Sequence, residues 1–150
     1  MKKLNLGCGM KHLDGFINID VSKESKADLF LDLERDKLPF EDNTVDHILA
    51  KDFLEHITNL GFLMNECWRV LHPEGIFEII VPNVLVNPSF AFSDPTHVRF
   101  FTSETFKYFT NRYHWFKIYR FKPWRLISQG TWKADKYGNS FIHVRMGKKT

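Results

Sequence analysis

The first half of the chain alternates short apolar runs with glycine-rich or acidic breaks. Leu4-Asn5-Leu6 is a strand signal that stops at Gly7-Cys8-Gly9. Phe16-Ile17-Asn18-Ile19-Asp20-Val21 alternates apolar and polar positions and runs into an acid, the pattern of a second strand. Leu29-Phe30-Leu31 with Leu33 predicts a third. Val45, Ile48, Leu49 and Ala50 predict a fourth, entered through the turn Glu41-Asp42-Asn43 and ending near Lys51. From Thr58 or Asn59 the period changes. Leu60, Leu63, Met64, Cys67, Trp68, Val70 and Leu71 follow the three-and-four spacing of one helical face, and His72-Pro73-Glu74-Gly75 is its stop signal. Residues 76–81 are almost continuously apolar, as in a strand buried on both faces, and Pro82-Asn83 closes the run. Residues 84–99 read as a loop with Pro88 and Pro95 in it, followed by a helix from Thr102 or Ser103 to about Thr110. Strands over about 115–128 and 140–147, joined through Asp135-Lys136-Tyr137-Gly138-Asn139, complete the pattern.

Buried strands around a helix, with glycines or acids at the strand ends, predict an α/β fold with a mostly parallel open sheet. A parallel crossover ordinarily takes a dozen or more residues, yet only residues 7–15 separate the first two strands, and residues 21–26 are as short a link. One face of the sheet is therefore expected to be thinly covered, to be closed by the aromatic C-terminal third or by a second subunit, which keeps a homodimer open. At 150 residues the chain is the size of one domain spanning 1–150. No apolar run approaches the roughly 20 residues of a membrane span, and the start lacks a secretion signal, so a cytoplasmic location is expected. Cys8 and Cys67 are too few for a disulfide framework and read as free thiols.

Charge divides the chain. Residues 1–100 hold 10 Lys/Arg against 16 Asp/Glu, whereas residues 101–150 hold 11 against 2. The basic third also carries Phe101, Phe106, Tyr108, Phe109, Tyr113, Trp115, Phe116, Tyr119, Phe121, Trp124 and Trp132, with Phe100 at its border. Interleaved rings and cations suit an anionic, ring-containing partner such as a nucleotide or RNA, but they describe first a segment with its rings in the core and its charges in water, since charged faces are usually solvated.

The first strand delivers Gly7-Cys8-Gly9 and the second delivers Asp20 to the carboxyl edge of the sheet, where open α/β proteins bind ligands. Glycines admit close backbone approach, and a strand-end acid accepts hydrogen bonds from both hydroxyls of a ribose. A nucleoside site follows. A dinucleotide site needs Gly-x-Gly-x-x-Gly opening a helix; here the third position is His12, and Asp20 stands only 13 residues after Gly7. No Gly-Lys-Ser/Thr follows either, so a phosphate loop is excluded. A cofactor with adenosine and amino acid parts but no phosphate, S-adenosylmethionine, fits these features.

These residues resemble the class I S-adenosylmethionine-dependent methyltransferases, in the small-molecule-type branch of methyltransferase-11-like proteins. The resemblance runs from Leu4 to about Thr105. It rests on Leu4-Asn5-Leu6-Gly7-Cys8-Gly9, Asp20, Asp32-Leu33, Leu38-Pro39-Phe40, the run from Val45 through Ala50-Lys51 to Glu55-His56, and Trp68-Arg69-Val70-Leu71-His72-Pro73-Glu74-Gly75-Ile76-Phe77. Asp94-Pro95-Thr96-His97-Val98-Arg99-Phe100-Phe101-Thr102 further resembles a subgroup with abbreviated helices. The resemblance implies a seven-stranded, Rossmann-like sheet of order 3-2-1-4-5-7-6 with one antiparallel strand. It also implies an S-adenosyl-L-methionine cofactor held by Asn5, Gly7, Cys8, Gly9, Asp20, Asp32, Leu33, Ala50 and Lys51. Asn5 replaces the family's usual acid, which weakens the expected grip on the cofactor's amino group.

The implied reaction is in-line transfer of a methyl group to an N, O, S or C nucleophile, and the base expected for a hydroxyl acceptor is His97 with Asp94 beside it in a lid loop. His56 with Glu55 reads first as structural, at the start of the next helix. Cys8 between two glycines reads as a small packing residue. No metal is expected, because His56, Cys67 and His72 share no ligand spacing. The expected acceptor is a small molecule, with RNA open through the basic third; a cofactor-binding protein without catalysis is the alternative from another class.

Overall fold

The structure is a computed structural model that describes residues 1–110, 115–132 and 138–149. Seven strands form one sheet: β1 (Lys3–Leu6), β2 (Ile17–Asp20), β3 (Leu29–Phe30), β4 (Val45–Lys51), β5 (Leu71–Pro82), β6 (Trp124–Trp132) and β7 (Phe141–Lys148). Their order is β3-β2-β1-β4-β5-β7-β6. The pairs β1–β2, β1–β4, β2–β3 and β4–β5 are parallel, whereas β7 runs antiparallel to both β5 and β6. The expected order and the antiparallel final strand are both present. β1 sits where the order reverses, with β2 on one side and β4 on the other, so a crevice opens at the carboxyl ends of these strands.

One long helix, α1 (Leu60–Val70), covers one face. Leu60, Leu63, Met64, Cys67 and Val70 are all buried, as the spacing predicted. Each such side chain contributes roughly 1.5–3 kcal/mol by leaving water. Buried Glu66 is matched by Arg69, whose guanidinium also donates to the carbonyls of Leu38 (2.9 Å) and Phe40 (2.8 Å). The helix does not end in a loop. Leu71 turns extended at φ −63°, ψ 134°, and β5 begins there, five residues before the predicted start. Residues between Leu71 and Ile76 bulge out of the ladder, because Val45 pairs with Leu71 but His47 pairs with Ile76. Gly75 permits this; a Cβ there would meet Leu71 Cδ1 at 2.8 Å and two carbonyl oxygens at 3.0 Å.

The links from β1 to β2 and from β2 to β3 contain no helix, so the face opposite α1 lacks that cover. Among the described residues the C-terminal third does not close it, although Trp132 packs there on His143 (ring centroids 4.2 Å). Trp68 on α1 donates to Pro123 O (3.0 Å), Phe121 lies against Gly61, and Trp124 packs on Phe77, so this segment wraps the α1 side. The open face instead carries half-buried polar groups, with Glu78 bridging His47 (3.1 Å) and His143 (2.6 Å). Strand alternation puts these on the side opposite Phe77 and Ile79.

Three further expectations change. The helix predicted for 102–110 is a 3-10 turn over Thr105–Phe109. The loop 84–99 holds a short helix, α2 (Pro88–Ser93), capped by Asn87 Oδ1 accepting from Phe90 N–H (3.1 Å). The strand predicted from 115 begins only at Trp124, after one helical turn, α3 (Trp115–Ile118). Asp135, Lys136 and Tyr137 of the predicted connecting turn, and Tyr113, lie outside the described residues. Among those described, no helix is long and apolar enough to cross a membrane, and Cys8 and Cys67 are buried free thiols.

Candidate active site

Two cavities meet at the carboxyl edge of the sheet. The first, about 400 Å³, is lined by Asp20, Leu31, Asp32, Leu33, Phe53 and Ile57 among others. The second, about 530 Å³, is lined by Asp52, Glu55, His56, Phe90, Asp94 and His97 among others. His56 lines both.

The first cavity is built on the glycine turn. Gly7 and Gly9 have φ of +62° and +50°, the left-handed region that favours glycine. Gly9 N–H donates to Asp20 Oδ2 (2.9 Å) and Ser22 N–H donates to Asp20 Oδ1 (2.9 Å). The carboxylate is therefore held at the cavity mouth with a lone pair left on each oxygen. A Cβ at Gly7 would stand 2.0 Å from Cδ2 of Phe53, so the ring of Phe53 lies directly over this glycine and forms the inner wall. The opposite wall is fastened where Thr58 Oγ1 donates to Glu34 Oε2 (2.7 Å). Asp20, Asp32 and Glu34 line the cavity without any Lys or Arg, a set that disfavours phosphate and favours a cationic ligand with a diol.

The second cavity depends on a loop folded back from beyond β5. Val98 N–H (2.8 Å) and Arg99 N–H (3.1 Å) both donate to Glu55 O, and Arg99 Nε donates to Ile57 O (2.7 Å). This seats residues 94–97 beside the 3-10 turn Leu54–His56 that follows β4. His97 Nδ1–H donates to Ala91 O (2.6 Å), which leaves Nε2 as the ring's acceptor, 4.0 Å from Glu55 Oε1 and 3.9 Å from Asp94 Oδ2. Thr96 Oγ1–H donates to Asp94 Oδ1 (2.6 Å), so it accepts from His56 Nδ1–H (2.9 Å) and leaves Nε2 of His56 as that ring's acceptor. The two rings meet edge to face at 4.8 Å.

The carboxylates here differ sharply. Burial pushes the Glu55 carboxyl up to about 8, and its Oε2 has no hydrogen-bond partner. Burial also raises Asp52, whose Oδ1 is likewise unpartnered and whose backbone sits at φ +51°. Asp94, receiving the Thr96 hydroxyl and N–H, is held below the usual carboxylate range.

Residues 4–79 match the model of a family described as methyltransferase domain, a little over half of the chain. This protein belongs to the methyltransferase domain family. Its fold is shared by solved S-adenosylmethionine-dependent methyltransferases. One from Thermotoga maritima is 15% identical with a TM-score of 0.71, covering 99% of this chain and 82% of that one. One from Methanosarcina mazei is 14% identical with a TM-score of 0.70, covering 98% and 92%. One from Archaeoglobus fulgidus is 16% identical with a TM-score of 0.69, covering 98% and 86%. No curated protein matches the chain.

The methyltransferase's cofactor is S-adenosyl-L-methionine, and the first cavity fits it chemically: a fixed carboxylate for the ribose, apolar walls for the adenine, and acids rather than bases facing a sulfonium. Asp20, Asp32 and Leu33 line that cavity. Gly7, Cys8 and Gly9 form the turn beneath it. Buried Ala50 and exposed Lys51 end β4, outside both linings. Asn5 is also outside them; its amide donates to Lys11 O (3.1 Å) and Asn18 Oδ1 (2.9 Å), pinning the loop after β1. The Cys8 thiol is pushed up by burial and by nearby Asp20, opposite to what a nucleophile needs.

His97 and Asp94 do come together over the strand ends, as expected of a lid loop. Glu55, His56 and Thr96 join them. His56, for which the sequence suggests first a structural place, lines both cavities. The adjacency Glu55-His56 and the hydroxyl two residues after Asp94 were the available signals. The fold also assembles donors that no spacing revealed: one ligating atom each from Glu55, His56 and His97 lie within 4.8 Å of one another.

Proposed function

We propose that this S-adenosylmethionine-dependent methyltransferase acts on a small polar molecule held in the cavity of about 530 Å³, with its nucleophile presented at His56 and His97. The observation that carries this reading is the position of His56, the residue common to the linings of both cavities, where a methyl group passing from one to the other must cross.

S-adenosyl-L-methionine supplies an electrophilic methyl group on a sulfonium. Asp20 holds the ribose end through its two oriented oxygens, and Phe53 sets the inner wall against Gly7. His97, with Nδ1–H tied to Ala91 O, takes the proton of an incoming hydroxyl at Nε2, and anionic Asp94 steadies the imidazolium that results. Thr96 and Asp94 fix His56 in the tautomer whose Nε2 faces the acceptor as a hydrogen-bond acceptor. Positioning of this kind supplies on the order of 7–11 kcal/mol of a two-reactant barrier.

A small acceptor is favoured over RNA by the fate of the basic third. Phe101, Phe106, Phe109 and Trp124 are buried in the core and Lys107 and Lys148 are engaged by Glu104 and by Asn43 and Trp68, whereas Tyr108, Trp115, Tyr119 and Trp132 stay exposed and make RNA the alternative that the test must exclude. The test is incubation of the protein and methyl-labelled cofactor with a cell extract split into small-molecule and RNA fractions. Label in the small-molecule fraction, with no fall as salt rises, is the expected result. Label confined to RNA, falling steeply with salt, overturns it.

A further inference from the structure

We propose that Glu55, His56 and His97 bind one divalent transition-metal ion of the zinc type, and that the bound ion suppresses methyl transfer. The donor set is two imidazoles and a carboxylate, which suits zinc and its neighbours rather than magnesium or calcium, whose sites are built from oxygen alone. One ligating atom from each lies within 4.8 Å of the others, and His97 Nε2 stands 4.0 Å from Glu55 Oε1; two tetrahedral ligands at bonds of roughly 2.0–2.2 Å stand about 3.4 Å apart, so an ion would draw these side chains together by a rotamer-scale shift of about half an ångström or more.

Each imidazole is already held by its other nitrogen. His97 Nδ1–H is bonded to a backbone carbonyl and His56 Nδ1–H to the Thr96 hydroxyl, itself anchored on Asp94. Metal-binding histidines are oriented in this way, and it leaves both Nε2 lone pairs for an ion. An independent observation points to the same place. Glu55 is 2% exposed, lines the cavity, and its Oε2 has no hydrogen-bond partner. A buried carboxyl with an orphaned oxygen is costly, and a cation on the carboxylate answers it while its proton passes to solvent. Asp94 Oδ2, 3.9 Å from His97 Nε2, is placed to follow as a fourth donor.

The suppression rests on the acceptor reading above; the binding does not. A single Nε2 lone pair cannot hold an ion and take the acceptor's proton at once. The ion also sits beside His56, where the two cavities meet.

The experiment uses the full chain without a histidine tag, stripped by chelator and titrated with Co²⁺. Saturation at one equivalent is expected, with visible bands of a low-coordinate His/carboxylate site that Zn²⁺ abolishes. In the wild-type protein Co²⁺ should shift the ring-proton resonances of His56 and His97 and leave those of His47 and His143 in place. Glu55→Gln, His56→Ala and His97→Ala should each weaken binding at least tenfold. The resonance shifts decide the matter for any variant that fails to fold. Absence of a saturable band, shifts at other histidines, or a folded variant that binds like the wild type overturns the site. With labelled cofactor, transfer should fall at least tenfold at saturating Zn²⁺ and return with chelator; undiminished transfer overturns the suppression. If the metal binds while the stripped protein labels no small molecule, the acceptor reading fails and the metal site stands.

Discussion

The two cavities that share His56 are built in opposite ways. The cofactor cavity is assembled from the ends of β2 and β3 and the residues just after β4, and its decisive bond, Gly9 N–H to Asp20, spans 11 residues. The acceptor cavity joins the turn after β4 to a loop beyond β5, and its decisive bond, His56 to Thr96, spans 40. One is apolar with carboxylates at its mouth; the other gathers two histidines and three acids. In the function proposed above, recognition of the cofactor sits on short connections close to the sheet. On the proposed reading, the chemistry particular to an acceptor sits on a loop fastened from outside, which can change without disturbing the sheet.

That division breaks most visibly under paired substitutions. His97→Ala should lower turnover by roughly 10²–10⁴-fold, the worth of a positioned base, and leave the Kd for S-adenosylmethionine within about twofold. Asp20→Ala should do the reverse, weakening the cofactor by roughly 10–100-fold through loss of charge-assisted bonds worth about 1.5–3 kcal/mol. Calorimetry with the cofactor and a labelled-methyl assay read both. Equal loss of cofactor affinity in the two variants would make the cavities one site.

A second pair tests the cofactor cavity alone. Gly7→Ala and Gly9→Ala both force alanine to a positive φ, at roughly 1–3 kcal/mol. Only at Gly7 does the new methyl meet Phe53, 2.0 Å away, which adds roughly 1–3 kcal/mol of overpacking; the space at Gly9 is open. Urea unfolding should therefore find Gly7→Ala the less stable, and equal stabilities would show that the Phe53 ring is free to leave.

The smallest effect lies outside both cavities, at exposed Asp28 just before β3. Asp28 accepts from Asn18 N–H (2.8 Å), from Asn18 Nδ2 (2.8 Å) and from His12 (3.1 Å), and Asn18 chiefly holds its carboxyl down at about 2. A depressed carboxyl stabilises the fold fully above its unfolded value of roughly 3.9, and that contribution is lost as pH falls through about 2. Melting temperatures of Asp28→Asn should therefore change less than those of the wild type between about pH 4 and 2. Parallel curves would remove Asp28 from the acid response.

Most strands were legible because burial writes itself on neighbouring residues. Ile76 to Val81 read as a buried strand, and the face of Leu60, Leu63, Met64, Cys67 and Val70 as a helix, from period alone. The junction of α1 with β5 was hidden, since His72-Pro73-Glu74-Gly75 carries a stop signal that the fold spends on a bulge beside Val45 and His47. The strand predicted from 115 failed for a similar reason: the rings that suggested it, Phe116 to Phe121, turn over the outside of α1 before β6 begins.

The chain's own order of residues determined the strand succession and the cofactor turn, because glycine, acid and apolar run lie side by side in each motif and act through local backbone geometry. Only the tertiary structure decided that Glu55 and His56 stand against Asp94, Thr96 and His97. That contact depends on backbone donors of Val98 and Arg99 finding the carbonyl of Glu55 across a helix and a strand, and a hydrogen bond between distant main-chain atoms leaves no trace in side-chain spacing.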